Sequence, residues 1–125
     1  MLRRNFFGKL ANIFSTTAIA AAIPIKEKKL IYTEYIKGFQ FNEGKPFLSD
    51  IKKGDTLLMR REPENDYDEN AVAVYWNNKK IGYLPVMENV SISTMLDQNI
   101  ELTCTIEEVN VKAQLWEAVR IGVWI

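Results

Sequence analysis

The chain has 125 residues, enough for one domain and too few for a multi-domain enzyme. Apolar residues make up 47% and charged residues 26%, the profile of an ordinary globular protein, which excludes disorder and collagen-like structure. Sixteen Lys plus Arg offset sixteen Asp plus Glu, so the chain as a whole exerts no net pull on nucleic acid or an anionic membrane.

The N-terminal stretch differs from the rest. Arg3, Arg4 and Lys9 are the only charges in residues 1–25, which leaves thirteen basic against sixteen acidic groups in a mildly acidic remainder. Leu10 to Ile25 is uncharged, has the length of a signal-peptide apolar region, and falls short of the roughly 20 apolar residues of a membrane span. Ala18-Ile19-Ala20 and Ala20-Ala21-Ala22 carry small residues at signal-peptidase spacing. Arg3-Arg4, then Asn5, Phe6-Phe7 and Lys9, resembles a twin-arginine export signal, with Leu2 where Ser or Thr is preferred. Residues 1–25 are therefore expected to be an export signal, with no stable membrane span after its removal. A genuine signal implies a periplasmic or exported location, and its absence a cytoplasmic one. The alternative is an amphipathic helix packed on the domain or on a partner.

The following residues, 26–125, read as a small β-domain. Leu30 to Phe41 is rich in Ile, Tyr and Phe with strand-like alternation, and Gly38 marks a bulge or a close backbone approach. Pro46 to Lys53 forms a short amphipathic turn, stopped at Gly54-Asp55, and Thr56 to Glu62 a strand. Pro63 to Asn70 is dense in Asn, Asp and Glu, which bond their own backbone and set turns. Ala71 to Trp76 and Lys79 to Leu84 form a hairpin across Asn77-Asn78, since Asn tolerates the left-handed backbone of a tight turn. Pro85 to Asp97 suggests one helix with Pro in its first turn. Leu102, Cys104 and Ile106 share the inner face of a further strand, Cys104 as a core hydrophobe, and Trp116 to Ile125 closes the chain as another. The expectation is a mainly β fold with one or two helices, closed as a small, partly open β-barrel.

Composition also limits chemistry. With no histidine, the commonest general base and transition-metal ligand is missing, and Ser-His-Asp or Cys-His catalysis is excluded. The single Cys104 can form no internal disulfide.

Three blocks carry a family resemblance: Gly38-Phe39-Gln40-Phe41, then Arg61 through Val74 with Asn65, Tyr67-Asp68 and Asn70-Ala71, then Lys80-Ile81-Gly82-Tyr83-Leu84-Pro85. In order and spacing they resemble a HIRAN domain, from about Leu30 to the C-terminus. The resemblance implies an OB-like β-barrel and, as in helicase-linked members, capture of single-stranded DNA by its free 3′ end. It implies that Phe41 and Tyr67 flank the end base and that Asp68 accepts a hydrogen bond from the sugar hydroxyl. A carboxylate there would also repel a 3′-phosphate. Gln40, Asn65, Asn70 and Tyr83 surround this pocket in the resemblance, and Lys37, Arg60 and Arg61 offer phosphate contacts. Asn70 could instead only form the turn, Tyr67 pack over the barrel mouth, and Phe41 belong to the core.

The chain departs from the helicase-linked pattern at three places. Gln40 stands for a basic residue, Tyr83 for a histidine and Asp66 for a proline. Low, salt-sensitive affinity follows, since Lys and Arg contacts to the backbone supply most of it. Lys26 to Arg61 holds nine basic and five acidic residues, and if these share a face, that face tracks the backbone.

Other chemistries fit less well. Asp66, Asp68 and Asn70 mimic the first ligands of a calcium loop, but Ala71 replaces the required Gly and Asn77 the closing Glu. A magnesium nuclease would have to draw Glu62, Glu64, Asp66 and Asp68 from one loop. We therefore expect a monomeric, non-enzymatic binding module without metal or cofactor, whose partner is a single-stranded DNA end. The alternative is an exported interaction domain that uses the same pocket for another ligand or a protein.

Overall fold

The computed structural model describes residues 27–125, so the expected export signal lies outside the described residues. Six strands, β1 (Leu30–Tyr35), β2 (Thr56–Arg61), β3 (Val72–Trp76), β4 (Lys79–Tyr83), β5 (Thr103–Val109) and β6 (Val119–Trp124), form one antiparallel sheet in the order β1-β6-β5-β2-β3-β4. The sheet curls into the expected OB-like, partly open barrel because its two ends meet. Past β1, the N–H of Lys37 donates to the Tyr83 carbonyl at 2.8 Å and the N–H of Tyr83 returns a bond to the Lys37 carbonyl at 2.9 Å.

Alternation fills the interior. Cys104 and Ile106 on β5, Ile121 and Val123 on β6, Val72 and Val74 on β3, and Ile81 on β4 are buried with Ile36 and Phe39. Burial, followed by the Glu107 charge, pushes the Cys104 thiol up to about 12, so it packs as a small hydrophobe and is not a nucleophile at neutral pH. Leu102 lies just ahead of β5 and is only half-buried.

The β3–β4 hairpin turns at Asn77 (φ 46°) and Asn78 (φ 66°), both left-handed as a type I′ turn requires. Beside it, Asp55 accepts the Lys52 N–H and the Trp76 Nε1–H, both at 2.9 Å. These two bonds, the Lys52 one foremost, hold its carboxyl below the usual range.

Three expected boundaries move. The first strand ends at Tyr35, and Gly38, at φ +77°, turns the chain into a 3-10 turn over Phe39–Phe41. The Asn42 amide ties that turn by donating to the Gly38 carbonyl at 2.7 Å. The expected helix from Pro85 to Asp97 splits into a 3-10 turn, Val86–Glu88, and helix α1, Val90–Asp97, at the buried Asn89. The last strand starts at Val119, after a 3-10 turn over Leu115–Glu117 that carries Trp116.

Candidate nucleic-acid interface

The polar loop between β2 and β3 stands above the closure of the barrel, and its own side chains shape it. Asn65 Oδ1 accepts the N–H groups of Tyr67 and Asp68 at 2.9 and 3.1 Å, and Asp68 Oδ1 accepts the Asn70 N–H at 2.9 Å. These are the backbone-mimicking turns expected of Asn and Asp.

Three struts then fasten the loop to the barrel. Arg61 spends its guanidinium on the carbonyls of Ala71 (2.6 Å) and Glu69 (2.9 Å) and on Asp97 of α1 (2.9 Å). Glu62 accepts bonds from Lys80 Nζ (2.8 Å), Tyr83 OH (2.9 Å) and Asn65 Nδ2 (3.1 Å), and Lys80 also donates to Tyr83 OH at 3.0 Å. Burial alone would raise the Glu62 carboxyl, but the bonds from Lys80, Asn65 and Tyr83 outweigh it and hold the group below its ordinary value. The bonds to Glu62 and then to Tyr83 raise Lys80 in turn. The third strut joins Asn89 Nδ2 to Asp68 Oδ2 at 2.6 Å.

Beneath the loop lies a cleft of about 380 Å³, with Phe41, Tyr67 and Tyr83 as its rings and Asn42, Asn65 and Asp68 as its polar groups. Ala71, Leu84 and Val86 give it an apolar floor, and among the described residues Lys37 is the one cation lining it. Tyr67 is 97% exposed and Phe41 84%. Neither ring is spent on packing; the core ring of the motif is the neighbouring Phe39, which is fully buried. Tyr67 on the fastened loop and Phe41 on the 3-10 turn after β1 thus present two accessible aromatic faces beside a carboxylate.

Gln40 faces a second groove of about 460 Å³, shared with Glu34, Pro85 and Trp116 and joined to the first through Lys37, Gly38 and Phe41. Its Oε1 is buried there without a partner among the described residues. Phe41 therefore stands between two concavities, and the half-exposed Trp116 (54%) offers a further ring on the far side.

The cleft thus assembles Lys37, Phe41, Asn65, Tyr67, Asp68 and Tyr83 from the expected set. Arg60 is elsewhere, stacked 4.9 Å from the Tyr75 ring centroid, and Arg61 is committed to its strut. Asn70 contributes its backbone N–H to Asp68 and does not line the cleft. Sequence reasoning passed over Glu62 as a loop anchor, Lys80 and Trp116 as anything beyond a motif block and a strand start, and Asn89 altogether. Lys80 and Tyr83 meet because β4 bulges: Tyr75 pairs with Lys80 but Val74 with Gly82, leaving one residue over. Strict alternation hides that pair. Among the described residues, no group of three or more Cys, Asp or Glu could hold a metal ion, and no helix is long and apolar enough to cross a membrane.

The sequence model of the HIRAN domain family matches residues 30–125. The chain belongs to the HIRAN domain family. A solved structure from Lactobacillus plantarum, structural genomics target LpR91B, superposes with a TM-score of 0.67 at 23% identity, over 78% of this chain and 94% of that one. The HIRAN domain of human HLTF gives a TM-score of 0.55 at 16% identity, over 78% of each chain. These likenesses support the fold, and family membership supports a nucleic-acid-binding module. No curated protein matched the chain.

Proposed function

We propose that this HIRAN domain captures single-stranded DNA at a free 3′-hydroxyl end. The observation that carries the reading is the convergence of Phe41, Tyr67 and Asp68 on one cleft, with both rings free of packing partners. The rings hold the terminal base between their faces, and Asp68 accepts the hydrogen bond of the sugar hydroxyl. A 3′-phosphate would set negative charge against that carboxylate and is rejected. Lys37, which lines both the cleft and the Gln40 groove, supplies the backbone contact that Gln40 cannot. The groove past Phe41 leads the strand on toward Trp116. Tyr83, with its hydroxyl spent on Glu62, offers the ligand its ring. The role is recognition and not catalysis, and the protein acts as a monomer.

The test is a fluorescence-anisotropy titration of the full chain with short labelled strands ending in 3′-hydroxyl or 3′-phosphate, beside blunt duplex, at low and moderate salt. The expected result is preference for the hydroxyl end, lost in Tyr67→Ala and Asp68→Ala. Equal weak binding to all three would overturn the reading and leave the cleft to another ligand.

A further inference from the structure

We infer that Asn89, a buried residue outside the cleft, is the positioning residue that aims the Asp68 carboxylate and so sets the discrimination between hydroxyl and phosphate ends. The inference rests on the end-capture reading for its consequence, and on the Asn89–Asp68 geometry for its mechanism.

Asn89 occupies the position before α1, where Asn ordinarily caps a helix by accepting an N–H from the first turn through its side-chain oxygen. It makes no such cap. The residue is fully buried, its Oδ1 has no partner among the described residues, and its Nδ2 reaches across to Asp68 Oδ2 at 2.6 Å. A buried acceptor without a partner is a cost that folds normally avoid. Turning the amide over would set Oδ1 against the carboxylate oxygen, so the donor must face the loop. The helix start thus gives up its cap, and the amide leaves one atom unsatisfied, for a single bond to a cleft residue.

That bond completes a fixed carboxylate. Oδ1 takes the Asn70 N–H and Oδ2 takes the Asn89 amide, which pins the carboxylate plane and leaves a second lone pair on each oxygen for a ligand hydroxyl. Both donors are neutral. Among the described residues the ion pairs join Arg61 to Asp97, Lys80 to Glu62 and Arg120 to Glu108, and none involves Asp68. An Arg or Lys in place of Asn89 would orient the carboxylate but cancel the charge that repels phosphate. An amide orients it and leaves the charge intact.

The experiment compares the full-length wild type with Asn89→Leu, which keeps the branched shape and the number of side-chain heavy atoms and removes both the donor and the orphan oxygen. Side-chain scalar couplings of Asp68, recorded by NMR without ligand, should report one χ1 rotamer in the wild type and averaging in the variant. The preference for 3′-hydroxyl over 3′-phosphate ends should fall on the order of fivefold, as expected for loosening one charge-assisted bond, while the melting temperature stays close to wild type. An Asp68 rotamer unchanged in Asn89→Leu would overturn the inference whatever the DNA does. If Asp68 is released but the wild type never preferred the hydroxyl end, the positioning stands and the end-capture reading fails. Should Asn89→Leu not fold, the loop variant Asp68→Ala decides. The Asn89 Nδ2 protons should exchange faster there than in the wild type, where they are bonded to Asp68, and no change would overturn the inference.

Discussion

Tyr67 and Phe41 are large rings held in water, and that exposure makes their roles separable from the fold. Removing an exposed side chain away from caps and strained backbone changes stability by less than about 0.5 kcal/mol, whereas losing one stacked base weakens binding by about 1–3 kcal/mol. Tyr67→Ala and Phe41→Ala should therefore melt like the wild type and bind single-stranded DNA roughly 5- to 150-fold more weakly, checked by thermal denaturation beside anisotropy. Lys37 is separable in a different way. As the one cation among the described residues that lines either concavity, it should account for a single phosphate contact. Lys37→Gln should flatten the slope of log affinity against log salt by about 0.7, measured with single strands across a salt series.

Between the residue and the molecule, what decides the site is how β4 and α1 hold the loop. The Glu62–Lys80–Tyr83 strut has a pH signature. Glu62 is depressed in the folded state, so its contribution is present above its unfolded value and fades as pH falls through the lower folded one. Lys80 is raised, so its share is full below its unfolded value and fades only in strong alkali. Both side chains are less than a third exposed, at 23% and 28%, and Glu62→Gln should cost about 1–2 kcal/mol at neutral pH. The variant should also lose part of the acid-side decline in melting temperature between about pH 5 and pH 2, followed by circular dichroism.

This strut also marks where the sequence stopped being readable. Asn77-Asn78, the alternation of Cys104 and Ile106, and the Asn65 to Asn70 turns are local, and each was legible from neighbours in the chain. The path from Pro85 to Asp97 looked like one helix because nothing local says that Asn89 is drawn to Asp68, 21 positions earlier. The first strand reads through to Phe41 because large apolar residues recur on both sides of Gly38, and that single left-handed residue turns the chain out of it. Asp68 and Tyr67 were visible as a motif, whereas their supports Asn89 and Lys80 depend on long-range contacts and a bulge.

The whole molecule depends on one closure, where the chain after β1 meets the end of β4. Lys37 and Tyr83 exchange backbone bonds there, and both residues also line the cleft, so the seam of the barrel is a wall of the site. Gly82 sits in that seam at φ +150°, where L side chains are strained. A Cβ on it would lie 2.3 Å from Ile36 Cγ2 and 2.6 Å from the Lys37 carbonyl oxygen. The second neighbour is backbone and cannot rotate away, and Ile36 is 1% exposed with no room to retreat. Gly82→Ala must therefore push the two chain segments apart, at a cost of about 3 kcal/mol or more. Because the push falls on the Lys37–Tyr83 pair, the damage should be local before it is global. Amide exchange at Lys37 and Tyr83 should accelerate well beyond that of Val123 or Cys104 in the β5–β6 pair. Strand-end binding should weaken in the same variant even where most of the protein is folded. Uniformly faster exchange, with binding retained by the folded fraction, would mean that the seam and the site are independent.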